Sequence, residues 1–102
     1  MNVIITTSRT TDAAPLLEKM LKHRLVACGN IFPGIRSLYW WKGEICDEEE
    51  SFIFMETTKE QVLRAKESLQ EFHPYEVPKI LIIKPEDVNM AYLDWLQTEV
   101  QS

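Results

Sequence analysis

The apolar positions of this chain change period several times, and each change marks an element. Asn2–Thr7 is a short β-branched run that predicts a strand, and Ser8–Thr11 is a polar turn. From Asp12 to Arg24 the residues Ala13, Leu16, Leu17, Met20 and Leu21 recur at helical spacing and form one stripe. Pro15 fits only in a first turn, where its missing N–H costs nothing, so the helix start falls near Thr11 or Asp12. Lys19, Lys22, His23 and Arg24 gather at the other end, where positive charge suits the helix dipole.

Leu25–Phe32 predicts a second strand, which Ile35–Trp41 continues past a Pro33-Gly34 break. Glu44–Thr57 predicts a third, apolar on both faces through Ser51–Met55. Lys42-Gly43 suits a two-residue hairpin loop, because Gly accepts the positive φ such turns need; Lys is not the favoured first residue, which leaves the turn type open. With that loop Trp41 faces Glu44, Trp40 faces Ile45, Tyr39 faces Cys46 and Arg36 faces Glu49. Trp40 and Trp41 then point to opposite sides of the ribbon. Thr57-Thr58-Lys59-Glu60 reads as a capping box, with Thr58 and Gln61 as the alternative pair. The helix that follows extends to about Phe72, buries Val62, Ala65, Leu69 and Phe72, and places Glu60 four residues from Arg64. Two prolines hold His73–Pro78 extended. Ile80–Ile83 is a wholly apolar strand, and a last helix covers about Asn89–Val100.

The order β-α-β, β-α-β, α predicts an α+β fold: a ferredoxin-like split βαβ sandwich over a single domain, residues 1–102, with a long β2-β3 hairpin and an extra C-terminal helix. Two helices cover one face of its antiparallel sheet. The other face would be bare in a monomer, and one short helix cannot cover several long strands. The hairpin arms are longer than Ile80–Ile83 and should project, carrying Tyr39, Trp40 and Trp41. An exposed apolar ribbon of this kind predicts a homo-oligomer.

Charge and composition narrow the function. A net charge of −5 over 102 residues argues against nucleic acid. No apolar run spans a bilayer and the N-terminus lacks a signal-peptide pattern, so the expectation is a cytoplasmic protein with no membrane partner. The two cysteines are expected as free thiols. The absence of a nucleophile triad, P-loop, GxGxxG or HExxH motif predicts that the chain is not an enzyme.

The remaining candidates each carry two readings. Cys28, in an apolar run, is either a packed thiol or a soft-metal ligand, for Cu(I) in particular. Cys46, beside Asp47 and Glu48, is a bystander. His73 can ligate a metal or serve backbone groups, and His23 is a solvated surface residue. The run Asp47–Glu50 is a solvated edge or a cation site. Tyr39, Trp40, Trp41, Tyr75 and Glu76 either line an inter-subunit cleft or pack an interface.

Four strings carry a family resemblance: Leu25-Val-Ala-Cys-Gly-Asn-Ile-Phe-Pro-Gly34, Ser37-Leu-Tyr-Trp-Trp-Lys-Gly-Glu-Ile45, His73-Pro-Tyr75 with Pro78, and Tyr92-Leu-Asp-Trp-Leu96. Together they resemble the CutA family, the divalent-cation tolerance proteins. The resemblance implies a homotrimer, similar in assembly to the PII signalling proteins, that binds copper or another divalent cation and needs no organic cofactor. It also implies Cys28 and His73 as metal ligands. The chain has Thr6 and Phe72 where relatives with a proposed copper site carry a cysteine and a histidine. Two alternatives accompany this reading: a PII-like module that takes a small anionic ligand in the inter-subunit cleft and signals to a partner protein, and a non-catalytic assembly scaffold.

Overall fold

The computed structural model describes residues 1–100, in the order β1 (Asn2–Ser8), α1 (Thr10–Lys22), β2 (Cys28–Trp41), β3 (Glu44–Thr57), α2 (Val62–Phe72), β4 (Ile80–Ile83) and α3 (Met90–Glu99). The sheet order is β2-β3-β1-β4 and every neighbouring pair is antiparallel. This is the ferredoxin-like α+β arrangement: β1 and β3 lie in the middle, and each β-α-β unit crosses over one face.

Side-chain alternation divides the sheet cleanly. Ile4, Ile53 and Met55 point toward α1 and α2 and join Leu16, Leu17, Met20, Val62, Ala65 and Leu69 in one buried cluster. Helix α1 approaches so closely over Gly29 that a Cβ there would lie 2.3 Å from Leu17 Cδ1. Cys28 and Glu56 are register partners on the opposite face, and the phenol of Tyr92 in α3 sits beside both. Helix α3 thus covers one end of the face the other two helices leave bare, burying Leu96 completely. Phe32, Leu81 and Ile83 on that face remain exposed.

Several local expectations give way to packing. Helix α1 begins at Thr10, so Pro15 is its sixth residue and leaves the carbonyl of Thr11, an exposed residue, without its helical donor. The helix ends two residues before Arg24, which adopts φ 56° while its N–H donates to the Leu21 carbonyl and the Leu25 N–H donates to the Met20 carbonyl. This is a Schellman closure with arginine where glycine is usual. The Arg24 guanidinium reaches the Glu99 carboxylate at 2.8 Å. Leu25 and Val26 are buried but do not start β2, since Leu25 is folded back onto the end of α1. The predicted capping box is absent. The Thr57 hydroxyl donates to the Leu25 carbonyl at 2.7 Å, and Thr58 Oγ1 instead accepts from the Gln61 N–H at 3.2 Å. Helix α2 therefore starts at Val62, leaving Glu60 in the preceding turn and unable to pair with Arg64 along a helix.

The hairpin has the predicted register, from Trp41 opposite Glu44 to Arg36 opposite Glu49. Lys42 and Gly43 both have positive φ, 50° and 82°, which makes a type I′ turn. Strand β1 pairs with β3 only over Ser51–Thr57, so Ile35–Glu50 stands out as a two-stranded arm. Fourteen residues at about 3.3 Å each account for the 45 Å long axis of the molecule. At Pro33-Gly34 the register slips: Phe32 pairs with Phe52 but Ile35 pairs with Glu50, so two residues oppose Ser51 alone. Gly34 supplies the positive φ of 72° that the bulge needs.

Candidate functional site

The bulge bends the arm over the segment that follows α2, and the two enclose an open cleft of about 1030 Å³. Ile35, Tyr39 and Trp41 form one wall, Glu48 and Glu50 the floor, and Tyr75 the far side. The floor is set by alternation along β3, where Cys46, Glu48 and Glu50 share a face with Phe52.

Three hydrogen bonds in series build the far side. His73 is only 6% exposed. Its Nε2–H donates to the Thr7 carbonyl at 2.9 Å, and its Nδ1 accepts the Tyr75 N–H at 3.1 Å. That pairing requires the neutral Nε2–H tautomer. Tyr75 then donates its hydroxyl to Glu50 Oε2 at 2.5 Å. Glu50 is 5% exposed, so the acidic run is not a uniformly solvated edge. Asp47, Glu48 and Glu49 are exposed as expected, whereas Glu50 lies where the arm joins the sheet and Tyr75 closes over it.

The carboxylates act on both phenols. Burial, followed by the Glu50 hydrogen bond, pushes Tyr75 well above the ordinary tyrosine range. Glu48 pushes Tyr39 up to about 12, chiefly by accepting a hydrogen bond from its phenol. On the other side of the arm Arg36 makes a bidentate pair with Asp47 at 2.9 and 2.7 Å, which holds the Asp47 carboxyl below its ordinary value. Asp47 lies two residues along β3 from Glu49, the register partner of Arg36, and so is diagonal to Arg36 and within reach of its long side chain. Trp40 points to this same side and is 71% exposed, beside Leu38 and Ile45.

The two proposed metal ligands do not come together. Cys28 is level with Val3 of β1 and His73 is bonded at Thr7, four residues along the strand or about 13 Å. Both ring nitrogens of His73 are engaged by backbone, so a metal there would have to displace one of those bonds. Cys28 is half-buried against Tyr92 and Glu56. Among the described residues no three His, Cys, Asp or Glu side chains form a group able to hold a metal ion. Thr6 is fully buried and Phe72 packs against the core. These residues do not fit a shared cation site. Tyr39, Trp40, Trp41, Tyr75 and the exposed Glu76 all border the cleft, with Trp40 reaching it from the other side of the arm. The residue sequence reasoning passed over is Glu50. The available signal was its parity with Phe52, which places it on the apolar face of β3.

No helix among the described residues is long and apolar enough to cross a membrane. The family profile described as "CutA1 divalent ion tolerance protein" matches residues 1–99. The divalent-cation tolerance protein CutA of Thermotoga maritima is 45% identical over 83 residues, 81% of each chain, and that of Thermus thermophilus is 36% identical over 95 residues, 93% of this chain and 92% of the relative. The crystal structure of CutA1 from Pyrococcus horikoshii superposes with a TM-score of 0.94 at 35% identity over all of both chains. The protein described as "PII-like protein CutA" from Nostoc, in apo form, superposes with a TM-score of 0.93 at 28% identity, covering 99% of this chain and 98% of that one. The strings around Cys28, Trp40-Trp41, His73 and Tyr92, the fold that holds them and the profile spanning them agree: this chain belongs to the CutA1 divalent ion tolerance family.

Proposed function

We propose that the protein is a cytoplasmic, non-enzymatic PII-like module that assembles as a homotrimer and takes a small ligand in the cleft beneath its projecting arm, in the service of divalent-cation tolerance. The observation that carries this reading is the cleft itself. It has aromatic walls, a buried carboxylate on its floor and a rigid hydrogen-bonded side, yet one of its walls is an arm that no other part of the chain supports. The arm's outer residues Leu38, Trp40 and Ile45 and the bare-face residues Phe32, Leu81 and Ile83 are exposed apolar surface of the kind an interface covers. A neighbouring subunit packed there would fix the arm and complete the cleft. The family's name and the Nostoc relative's description as PII-like agree with a cation-linked regulatory role. Direct cation binding by Cys28 and His73 has no support in their geometry.

Two measurements test this. Sedimentation at micromolar concentration should give three times the 11.9 kDa chain mass; a single-chain mass would end the assembly reading. A screen of small metabolites by chemical-shift perturbation should move resonances of Tyr39, Trp41 and Tyr75. Hits that move only residues elsewhere would end the cleft reading. Titration with Cu(II) and Zn(II) alongside should show no tight site that Cys28→Ala or His73→Ala removes.

A further inference from the structure

The chemistry of the cleft floor identifies what kind of ligand it takes, and this step rests on the cleft reading above. Glu50 is buried to 5% exposure, and the Tyr75 hydroxyl reaches only one of its carboxylate oxygens. Among the described residues no other hydrogen bond to that carboxylate is present. No Lys or Arg among the described residues forms an ion pair with Glu50 or Glu48 either. Arg36 is held by Asp47 on the opposite side of the arm, and Arg9, whose guanidinium lies 6.0 Å from the Tyr75 ring centroid, makes its ion pair with Asp12 at 3.6 Å. Tyr75 directs its single hydroxyl proton to Glu50, so its hydroxyl presents no free donor to a ligand, and the Tyr39 phenol lies beside Glu48. The floor therefore offers hydrogen-bond acceptors with no paired counter-charge, which a positively charged donor would match. The rings of Tyr39, Trp41 and Tyr75 stand around it, and aromatic faces attract organic cations.

The geometry points to a small organic ammonium as the ligand of this cleft, its N–H groups donating to Glu50 and its charge held between the Glu48 carboxylate and the aromatic walls. An anionic ligand would meet Glu48 and Glu50 without an intervening cation. Arg9, over the Tyr75 ring, and Lys79 also line the cleft and can take a polar or acidic tail of the same molecule.

Three probes of equal length and different charge test the inference on the intact oligomer: phenylpropylammonium, phenylpropanol and phenylpropionate. Titration followed by chemical-shift mapping should show the ammonium binding on the order of tenfold more tightly than the alcohol, as a charge-assisted hydrogen bond implies, with shifts at Tyr39, Trp41 and Tyr75. Glu50→Gln, which keeps the shape and the Tyr75 contact, should abolish that preference. Glu48→Gln should reduce it and decides the matter should the first variant fail to fold. Equal binding of ammonium and alcohol, tighter binding of the carboxylate, or a preference surviving in these variants overturns the ammonium assignment while leaving the cleft reading intact. Shifts from none of the probes at cleft residues overturn both.

Discussion

Strand β3 lies in two environments, and the contrast between its halves explains much of the molecule. Over Ser51–Thr57 it is flanked by β1 and β2 and alternates between fully and partly buried positions. Over Glu44–Glu50 its only neighbour is β2, and all but Cys46 and Glu50 are exposed. The inner half is stabilised by this chain's own helices. The outer half is a two-stranded ribbon, and such ribbons are marginal in water without a third strand or a packed face. One continuous strand thus serves the core at one end and, in the assembly proposed above, a neighbouring subunit at the other.

The largest expected effect separates the halves directly. Ile53→Ala removes a side chain of zero exposure from the core and should cost about 2–5 kcal/mol in chemical denaturation. Trp40→Ala in the arm should leave the fold of the single chain nearly unchanged but weaken the oligomer by about 2 kcal/mol per contact, seen as dissociation on sedimentation. A Trp40→Ala protein that stays fully associated would break the comparison. Next comes His73→Ala, at the junction of the two halves. It strands the Thr7 carbonyl and frees Tyr75, and should destabilise by about 2 kcal/mol while broadening cleft resonances. The turn at the arm's tip gives a smaller effect in the opposite direction. Lys42 holds a positive φ that Asn accepts more readily, so Lys42→Asn should stabilise by up to about 1 kcal/mol.

The smallest effect is a titration. Tyr39 is shifted upward, to about 12, so its neutral form is favoured in the folded state. The associated stabilisation is fully present below pH 10.0, the ordinary tyrosine value, and is lost as the pH rises through about 12. Absorbance of the folded protein should therefore show little tyrosinate at a pH where the unfolded chain is half ionised, since Tyr75 and Tyr92 are also shifted upward. In Glu48→Gln the Tyr39 component should return toward the ordinary range.

The strands and the hairpin register were legible in the sequence because period-two patterning and a Gly-containing loop are local signals. Trp41 opposite Glu44 needs only the position of the turn. The helix termini were less legible. Thr57 looked like a cap, but its hydroxyl bonds a carbonyl thirty-two residues away in sequence. Arg24 ends α1 in a conformation that sequence preference would assign to glycine. The site divided in the same way. Tyr39, Trp40, Trp41, Tyr75 and Glu76 stood out as candidates for a cleft or an interface, chiefly because the aromatics among them lack a core partner, and all five border the cleft. The role of Glu50 was hidden inside an acidic run whose other members are exposed. What distinguishes it is the Tyr75 hydroxyl, brought over it by His73 from a different part of the chain.

The Pro33-Gly34 bulge sets the phase of everything beyond it. Before the kink the even-numbered residues of β2 share a face with Phe52, and after it the odd-numbered ones do. Losing either Pro33 or Gly34 would leave a single residue opposite Ser51, so Ile35 would still pair with Glu50 and every side chain beyond would keep its face, but the bend and extra twist that a bulge gives its strand would be lost. Exposed Pro-Gly stretches ordinarily absorb changes in chain length with little consequence. Here a single deletion would re-aim the whole arm, and with it the cleft wall, without touching any residue that lines the cleft, so length at this kink sets the arm's direction while its facing pattern stays the same.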